Sequence, residues 1–308
     1  MTYIRVYGHE GEDGEWVRPI PKPDDKFTYQ WNSEWADDPT KPILKITKSS
    51  LGSFKWCKKQ YEYSYLDRRP QDQTEAMYKG TVLHNSYEDF YNNVDIKKAE
   101  DMSFFEVKDY FQSLFPIDDY MDLSDTIATF EAQRFIDAKD AGTLEHFTPA
   151  GNELLLDAHI LIPRNAHPKY PLNRDYIVHL QGIIDRIYTE EGKCIPFEFK
   201  TGVWKDTKKT MMRREMSFYK MLMDASEDWD TEVTHWGWYY PASNYVCVEE
   251  VNKRSESAMK KALAEIIYAY EQDEFTPSYF HKKCVWCSFA GICPAAIDAN
   301  LNSGSDWL

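Results

Sequence analysis

Two carboxylates and a lysine lie on consecutive apolar segments near the middle of the chain: Asp185 follows the Gly-Ile-Ile run at 182–184, and Glu198 and Lys200 are two residues apart in the next segment. If both segments are strands, Glu198 and Lys200 point to the same face, and a hairpin brings Asp185 close to Glu198. Such carboxylates repel one another unless a divalent cation neutralises them, and oxygen ligands suit Mg²⁺ or Mn²⁺. Lys200 could then hold or activate a water or stabilise charge on a phosphate. These residue types are also common on solvated strand faces, so this spacing alone leaves a purely structural interpretation open.

Cysteines form the second group whose spacing could do chemistry. Cys284, Cys287 and Cys293 lie within ten residues near the C-terminal end. A C-x2-C pair is a common half of a chelating site, and the third cysteine supplies another thiolate. These three leave a tetrahedral or cubane site one ligand short, and Cys57 is a natural fourth. The spacing by itself suits either an iron–sulfur cluster or a structural zinc.

The elements that must position these residues follow from hydrophobic periodicity. Helical spacing predicts a helix capped by Ser49 or Ser50, and further helices at about 79–94, 103–115, 124–141, 207–224 and 254–272. Compact apolar runs predict strands at 153–162, at 235–241, at 245–251, and twice within 177–200, where a turn at 190–193 separates them. This order favours one α/β domain with a mixed central sheet. Cys194 and Cys247 fall in strand patterns and are predicted to be buried small hydrophobes.

The bulk composition limits the class of protein. The chain has 308 residues, of which 43% are hydrophobic and 15% aromatic, enough for a sizeable core. No run approaches the ~18–20 apolar residues that span a bilayer, and the N-terminus lacks the apolar stretch of a signal peptide. We therefore expect a soluble, intracellular, cytoplasmic protein with no membrane partner. The net charge of −15 counts against a general nucleic-acid binder, although a basic channel on an acidic body is compatible with it.

With its neighbours, the acidic strand pair resembles the core motif of RecB-like nucleases of the PD-(D/E)XK superfamily, in which a G-x-x-D strand precedes an E-x-K strand. The segment 80–84, which ends at His84, is similar to the upstream G-x-x-x-H motif. Glu153 opens a strand where these nucleases often carry an acidic residue. Tyr219 lies nineteen residues after Lys200, in the place of the Q-x-x-x-Y element, but Glu215 stands where the family has glutamine.

The cysteines extend this resemblance. Residues 49–61, around Cys57, are similar to the S-x-L-x-x-Y-x-x-C-P-x-x-F pattern of iron–sulfur RecB-like nucleases, with Lys58 in place of the proline. Those enzymes, which include AddB-type helicase-nucleases and CRISPR-adaptation nucleases, carry one cysteine before the nuclease motifs and three after them. The resemblance covers about residues 46–295. It implies a 4Fe-4S cluster that ties the two ends of the domain together, with four-cysteine zinc as the rival, on Cys57, Cys284, Cys287 and Cys293.

The resemblance also implies a fold and a division of the chain. The expected fold is an α/β, restriction-endonuclease-like core, in which helices flank a mixed central sheet, with a helical insertion and a C-terminal iron–sulfur region. The expected boundaries are an irregular N-terminal extension at 1–45, one nuclease domain at 46–298 with its helical part at about 85–145, and a tail at 299–308.

The function implied is a Mg²⁺- or Mn²⁺-dependent deoxyribonuclease, an exonuclease on single-stranded or end-processed DNA in repair, recombination or replication. Lys200 would orient or activate the attacking water, and Tyr219 and Glu215 would position the substrate strand. The implied catalytic residues are His84, Asp185, Glu198, Lys200 and Tyr219. The implied metal ligands are His84, Asp185, Glu198 and the backbone carbonyl of Phe199.

A basic stretch directly follows the E-x-K strand in this acidic protein. We expect it to contact DNA phosphates, although a solvated helix face is the plainer interpretation. The residues assigned to DNA binding are Lys205, Lys208, Lys209, Arg213, Arg214 and Glu215.

Two other functions remain open: a catalytically silent DNA-binding or recombination partner, and a zinc-stabilised protein–protein adaptor. The chain has no G-x-x-x-x-G-K-[ST] motif, so unwinding would have to come from a helicase or recombinase partner. The sequence leaves an oligomer open.

Overall fold

The computed structural model of the protein describes residues 7–19, 31, 38, 40–115, 120–190, 192–277 and 279–299. The predicted tail beyond residue 299 and much of the predicted N-terminal extension lie outside the described residues. So does residue 191 of the turn predicted at 190–193.

The central sheet has mixed strand directions, as predicted, and the described residues contribute six strands to it. They are β3 (Pro42–Thr47), β4 (Gly151–Ile162), β5 (Tyr176–Glu190), β6 (Lys193–Phe199), β7 (His235–Tyr240) and β8 (Tyr245–Glu250). The order is β3-β5-β6-β7-β8, and β4 pairs with β5 outside this path. The β3–β5 and β6–β7 pairs are parallel, whereas β5–β6 and β7–β8 are antiparallel. Two short strands, β1 (His9–Glu10) and β2 (Trp16–Val17), pair separately.

The described helices include all those that the periodicity predicts and three short ones, at 96–99, 281–284 and 294–298, that it does not predict. They are α1 (Lys48–Trp56), α2 (Lys58–Tyr61), α3 (Glu75–Asn93), α4 (Ile96–Ala99), α5 (Phe104–Ser113), α6 (Met121–Ala141), α7 (Lys209–Ala225), α8 (Ser255–Glu271), α9 (His281–Cys284) and α10 (Pro294–Asp298). A π-helical turn at Glu62–Leu66 follows α2. Short 3₁₀ turns lie at Leu144–His146, Asp206–Lys208 and Pro241–Ser243.

Two details near the first helix differ from the sequence expectation. The N-cap of α1 is Thr47 rather than Ser49 or Ser50, because the side chains of Thr47 and Ser50 cap each other's backbone amides. Strand β3 was not predicted. Its apolar residues Ile43, Leu44 and Ile46 do not alternate, yet all are buried. A strand buried on both faces is hard to distinguish from a loop by periodicity.

The chain forms two compact units. The first comprises residues 1–72, 158–181 and 256–308, and the second residues 73–157 and 182–255. The domain boundaries expected from the sequence stay a prediction.

The predicted helical part, at about 85–145, falls within the second unit. Helices α3, α5 and α6 there enclose an aromatic core whose rings meet edge-to-face or stacked, with Phe90 in contact with Phe111 and Phe115. Phe199 at the end of β6 belongs to the same core. These helices therefore pack against the end of the strand that carries Glu198.

Among the described residues, no helix combines the length and the apolar character needed to cross a bilayer.

Candidate functional site

Three side chains of the second unit converge on one point. His84, Glu153 and Asp185 each offer a ligand atom, and these atoms all lie within 4.8 Å of one another. The Nδ1 atom of His84 is 3.7 Å from Oε1 of Glu153 and 3.7 Å from Oδ2 of Asp185. An imidazole and two carboxylates at this spacing can share one divalent cation.

Asp185 is held from the neighbouring strand. The backbone N–H of Phe199 on β6 donates to Oδ2 of Asp185 at 2.8 Å, and the residue is only 5% exposed. Because the β5–β6 register pairs Arg186 with Phe197, Asp185 lies beside Glu198 at the next step along the hairpin. A buried carboxylate needs such partners, because an unpaired one would lose the hydration that stabilises its charge. The hairpin predicted from the sequence is therefore confirmed.

Glu153 reaches the site through a strained backbone. Its φ angle is +49°, in the left-handed region, although it lies within strand β4 and is not glycine. This conformation costs a non-glycine residue roughly 1–2 kcal/mol. Strain of this kind concentrates at functional positions. Here the strained residue is the one whose carboxylate faces His84.

The electrostatics of the group favour a positive charge. Burial alone would lower the pKa of His84, but contact with Glu153 and the negative charges of Asp185 and Glu198 raise it. The site therefore attracts a proton to His84 when no other cation is there. A divalent cation would satisfy the same carboxylates and would compete with that proton.

Glu198 and Lys200 form a second pair beside this group. The Nζ atom of Lys200 donates to Oε1 of fully buried Glu198 at 2.6 Å and lies 2.9 Å from Oε2 of Glu215. Burial opposes the charged form, yet the two carboxylates raise the pKa of Lys200 above its ordinary value. Lys200 is thus an ammonium fixed between two acids. Glu198 does not belong to the tight ligand group, so its role as a metal ligand stays a prediction, as does that of the Phe199 carbonyl.

Tyr219 contacts the backbone of β5, the strand that carries Asp185. Its ring is fully buried, and its hydroxyl donates to the backbone carbonyl of Ile183 on β5 at 2.8 Å. That carbonyl lies two residues before Asp185 on the same strand. Tyr219 therefore orients the strand that carries the carboxylate. Its predicted contact with the substrate strand remains a prediction.

The basic stretch is partly neutralised. Arg213 binds Glu249 through two hydrogen bonds of 2.6 and 2.7 Å, and Lys209 lies 3.8 Å from the same carboxylate. Lys208 donates to the carbonyl of Val203 at 2.7 Å. The two other basic residues of the stretch differ in exposure: Lys205 is exposed, whereas Arg214 is half-buried.

The four predicted ligand cysteines lie together in the first unit, where Cys57, Cys284, Cys287 and Cys293 line one cavity. No three of their sulfur atoms belong to a group within 4.8 Å among the residues described. A tetrahedral zinc with bonds of about 2.3 Å needs sulfur atoms about 3.8 Å apart. Zinc would therefore require the side chains to move together, whereas a larger cluster tolerates wider spacing.

The other two cysteines lie elsewhere. Cys194 is buried on β6, and burial raises the pKa of its thiol to about 11. Cys247 on β8 is half-buried rather than buried, and burial also raises the pKa of its thiol. Both favour the neutral thiol, which is a poor metal ligand.

Arg186 is the residue that sequence patterns missed. It is fully buried, and its Nη1 atom lies 3.4 Å from Oε1 of Glu153 and 2.5 Å from the carbonyl oxygen of Asp185. Its guanidinium also lies over the Tyr87 ring, 4.5 Å from the centroid. The only signal in the sequence is a charged residue between Asp185 and Ile187 in an apolar strand.

Beyond Arg186, a buried polar network continues into the helices. The hydroxyl of Tyr87 donates to fully buried Glu131, and Arg134 donates to the other oxygen of that carboxylate at 2.6 Å. Burial raises the pKa of Tyr87 well above its usual value. The tyrosine is therefore a neutral donor to Glu131.

Comparison with known proteins gives two findings. Residues 45–294 match the family model described as the PD-(D/E)XK nuclease superfamily. A solved structure described as "Crystal structure of SSO0001" is similar over 71% of this chain and 97% of that chain, with 18% sequence identity and a TM-score of 0.32. No curated protein sequence matches the chain.

Proposed function

Because this chain belongs to the PD-(D/E)XK nuclease superfamily, we propose that it hydrolyses phosphodiester bonds of DNA with Mg²⁺ or Mn²⁺, as an exonuclease on single-stranded or end-processed strands. Its place would be in repair, recombination or replication. Membership in the superfamily indicates a nuclease; the metal, the substrate and the mode of cleavage are the proposal. The observation that carries it is the convergence of His84, Glu153 and Asp185 beside Lys200.

The donor set fits a hard divalent cation. Asp185 and Glu153 supply carboxylate oxygens, and His84 supplies one nitrogen. The proposed set also includes Glu198 and the carbonyl of Phe199. When bound, the cation would neutralise these acids, acidify a bound water and stabilise negative charge on the phosphate.

Lys200 contributes a fixed positive charge to the reaction. Since Glu198 and Glu215 both hold its ammonium, little reorganisation is needed when charge develops on a phosphate oxygen. A protonated lysine cannot accept the proton of the attacking water. We therefore assign Lys200 to orienting that water for in-line attack and to stabilising the phosphate.

We propose that the basic stretch binds the DNA strand. Lys205, Lys208 and Arg214 would contact phosphates directly, whereas Lys209 and Arg213 would have to exchange their contacts with Glu249 for DNA. Glu215 and Tyr219 would position the DNA strand. Tyr219 would do so indirectly, because it orients β5. A helicase or recombinase partner would supply unwound DNA.

A 4Fe-4S cluster on Cys57, Cys284, Cys287 and Cys293 is the second proposed cofactor. The support is the lining of one cavity by all four cysteines and the C-x2-C-x5-C spacing. A bound cluster would join the segments before and after the nuclease motifs; no step of hydrolysis is assigned to it.

Cleavage assays test the enzyme proposal. Purified full-length protein is incubated with Mg²⁺ or Mn²⁺ and end-labelled linear single-stranded DNA, linear duplex or circular single strands. We expect loss of linear single strands, release of short products from an end, survival of circles, and near-complete loss of activity in Lys200→Ala. Lys97→Ala, at an exposed lysine on α4, is the matched control. Intact DNA with every metal would overturn the proposal, and binding without cleavage would favour the silent DNA-binding partner.

Metal analysis tests the cluster. The protein is purified without oxygen, and its visible absorption, iron and zinc are measured for the wild type, Cys57→Ala and Cys247→Ala. We expect a brown wild type and Cys247→Ala, each with about four irons, and a colourless Cys57→Ala. A colourless wild type with one zinc would replace the cluster by zinc and favour the adaptor function.

A further inference from the structure

An exposed aromatic surface surrounds the cysteines of the first unit. Trp286, between Cys284 and Cys287, is 84% exposed, which is far more than an aromatic ring of this size normally leaves in water. Phe280, at the start of α9, and Trp56, at the end of α1, are 53% and 44% exposed. Clustered exposed rings of this kind mark a binding surface.

The two sequence segments that carry these rings have a charge opposite to that of the whole chain. Residues 39–61 contain six lysines and no Asp or Glu, and residues 275–297 contain two lysines, one histidine and no Asp or Glu. The chain as a whole has 51 acidic and 36 basic residues. Acid-free segments this long are therefore a local departure from its composition, and they occur on both sides of the cysteine cavity.

The two segments meet at the aromatic surface. Lys283 of the second segment lies over the Trp56 ring, 4.7 Å from its centroid, and donates to the Trp56 carbonyl at 3.2 Å. Both residues line the cysteine cavity, as does Tyr279. Phe280, Lys282 and Trp286 are exposed and lie within three residues of Lys283 in the sequence. We call this group the cysteine-proximal surface and define it by Trp56, Tyr279, Phe280, Lys282, Lys283 and Trp286.

We propose that the cysteine-proximal surface binds single-stranded DNA, with Trp286 stacking on an unpaired base and Lys282 contacting the backbone. Lys55 and Lys59 of the first segment already pair with Glu265 and Glu62. The cations offered to phosphates are therefore Lys282 and Lys283, and exposed rings suit bases that have left the duplex. Paired bases do not expose their faces to such rings, so duplex DNA gains only the charge contacts. A protein partner would explain the exposed rings but not the absence of Asp and Glu from the two segments. The inference rests on the proposed nuclease function and adds a strand-binding site to it.

Binding and hydrolysis are measured separately to test this surface. A fluorescein-labelled dT₂₀ oligonucleotide is titrated with anaerobically purified full-length protein in EDTA, and its anisotropy gives the Kd. Trp286→Ala is expected to raise the Kd about tenfold, the effect of losing one stacked base. Trp286→Phe keeps an aromatic face and is expected to bind within about threefold of the wild type. The matched control is Phe105→Ala, which removes a 74% exposed ring from helix α5 of the other unit.

The same series of variants tests the contribution of the Lys282 charge and the position of the bound oligonucleotide. Lys282→Ala is expected to weaken dT₂₀ binding and to reduce the slope of log Kd against log salt by about one phosphate contact. Hydrolysis of bis(p-nitrophenyl) phosphate, which is too small to span a strand-binding surface, should be unchanged in all these variants. Photocrosslinking of an oligonucleotide that carries 5-iododeoxyuridine should label Trp286.

The outcomes separate the two proposals. If the wild type cleaves DNA and binds dT₂₀, but Trp286→Ala and Lys282→Ala bind it equally well, the surface proposal is wrong and the nuclease proposal stands. If the wild type neither binds nor cleaves DNA, both are wrong. If Trp286→Ala loses only a protein that co-purifies with the wild type, the surface serves a protein partner instead.

Discussion

The carboxylate site and the cysteine site differ in how far the protein alone positions the proposed metal ligands. At the carboxylate site each acid already has a protein partner: Phe199 donates to Asp185, Arg186 contacts Glu153, and Lys200 binds Glu198. At the cysteine site the sulfur atoms face one cavity but remain apart. The first site is pre-organised by strands and a buried network. The second lies between short helices and turns, which a bound group would have to fix.

This difference predicts different consequences of mutation. Removing a ligand from a pre-organised site should abolish chemistry and leave the fold intact, because the surrounding sheet does not depend on the cation. Removing a ligand from a site that depends on its metal should lower stability, because metal-binding free energy is folding free energy there.

The largest expected effect is that of Asp185→Asn. The amide can still accept the Phe199 N–H but lacks the charge that attracts a cation, so activity should fall by more than about 100-fold, beyond the 10–100-fold typical of indirect partners. Initial rates on linear single-stranded DNA with Mg²⁺ measure this. Thermal unfolding should change little, and Asp109→Asn, at an exposed position on α5, should match the wild type. A variant with full activity would exclude Asp185 as a ligand.

Cys57→Ala should show the reverse pattern. Loss of the connection between Cys57 and the C-terminal cysteines should reduce the free energy of unfolding by roughly 4–5 kcal/mol, by analogy with a disulfide that closes a loop of this length. Urea denaturation under anaerobic conditions measures it, with Cys247→Ala as the control. Equal stability of the two variants would mean that no metal joins these segments.

Arg186→Lys tests whether Arg186 orients the metal ligands of the carboxylate site. Lysine keeps the charge but loses the planar group that reaches both Glu153 and the Asp185 carbonyl. Affinity for Mn²⁺ should fall about 10–100-fold, as for other residues that orient a ligand. Calorimetric titration of Mn²⁺ without DNA measures this. Arg134→Lys alters the same buried network without touching Glu153, so an equal loss there would show that the effect is only structural.

The smallest expected effect is that of Glu215→Gln, which restores the residue expected from the family resemblance. Glutamine can still accept from Lys200 but removes one negative charge beside the path of a phosphate. The KM for DNA should fall about threefold, the size of one partly screened charge interaction, with a smaller change in kcat. A rise in KM would show instead that the carboxylate is needed to hold Lys200 in place.

Much of the fold and part of the site follow from local patterns. Helices α3, α6 and α7 were predicted because their apolar residues recur at helical spacing, and the β5–β6 hairpin because its two apolar runs flank a turn. The unpredicted β3 shows where this fails: a short strand buried on both faces has no alternation to reveal it. The same limit applies to Arg186, since sequence spacing does not show which buried charge will face a carboxylate.

The sequence by itself determined the residue types that can do chemistry and their order along the chain: His84, Asp185, Glu198 and Lys200, with one cysteine before them and three after. Motif spacing records such features because each motif spans only a few consecutive residues. Only the tertiary structure decided that Glu153 joins His84 and Asp185, that Lys200 is shared by Glu198 and Glu215, and that Tyr219 faces the backbone of Ile183. These are contacts between elements far apart in the chain, set by strand register, by burial and by the strained backbone at Glu153.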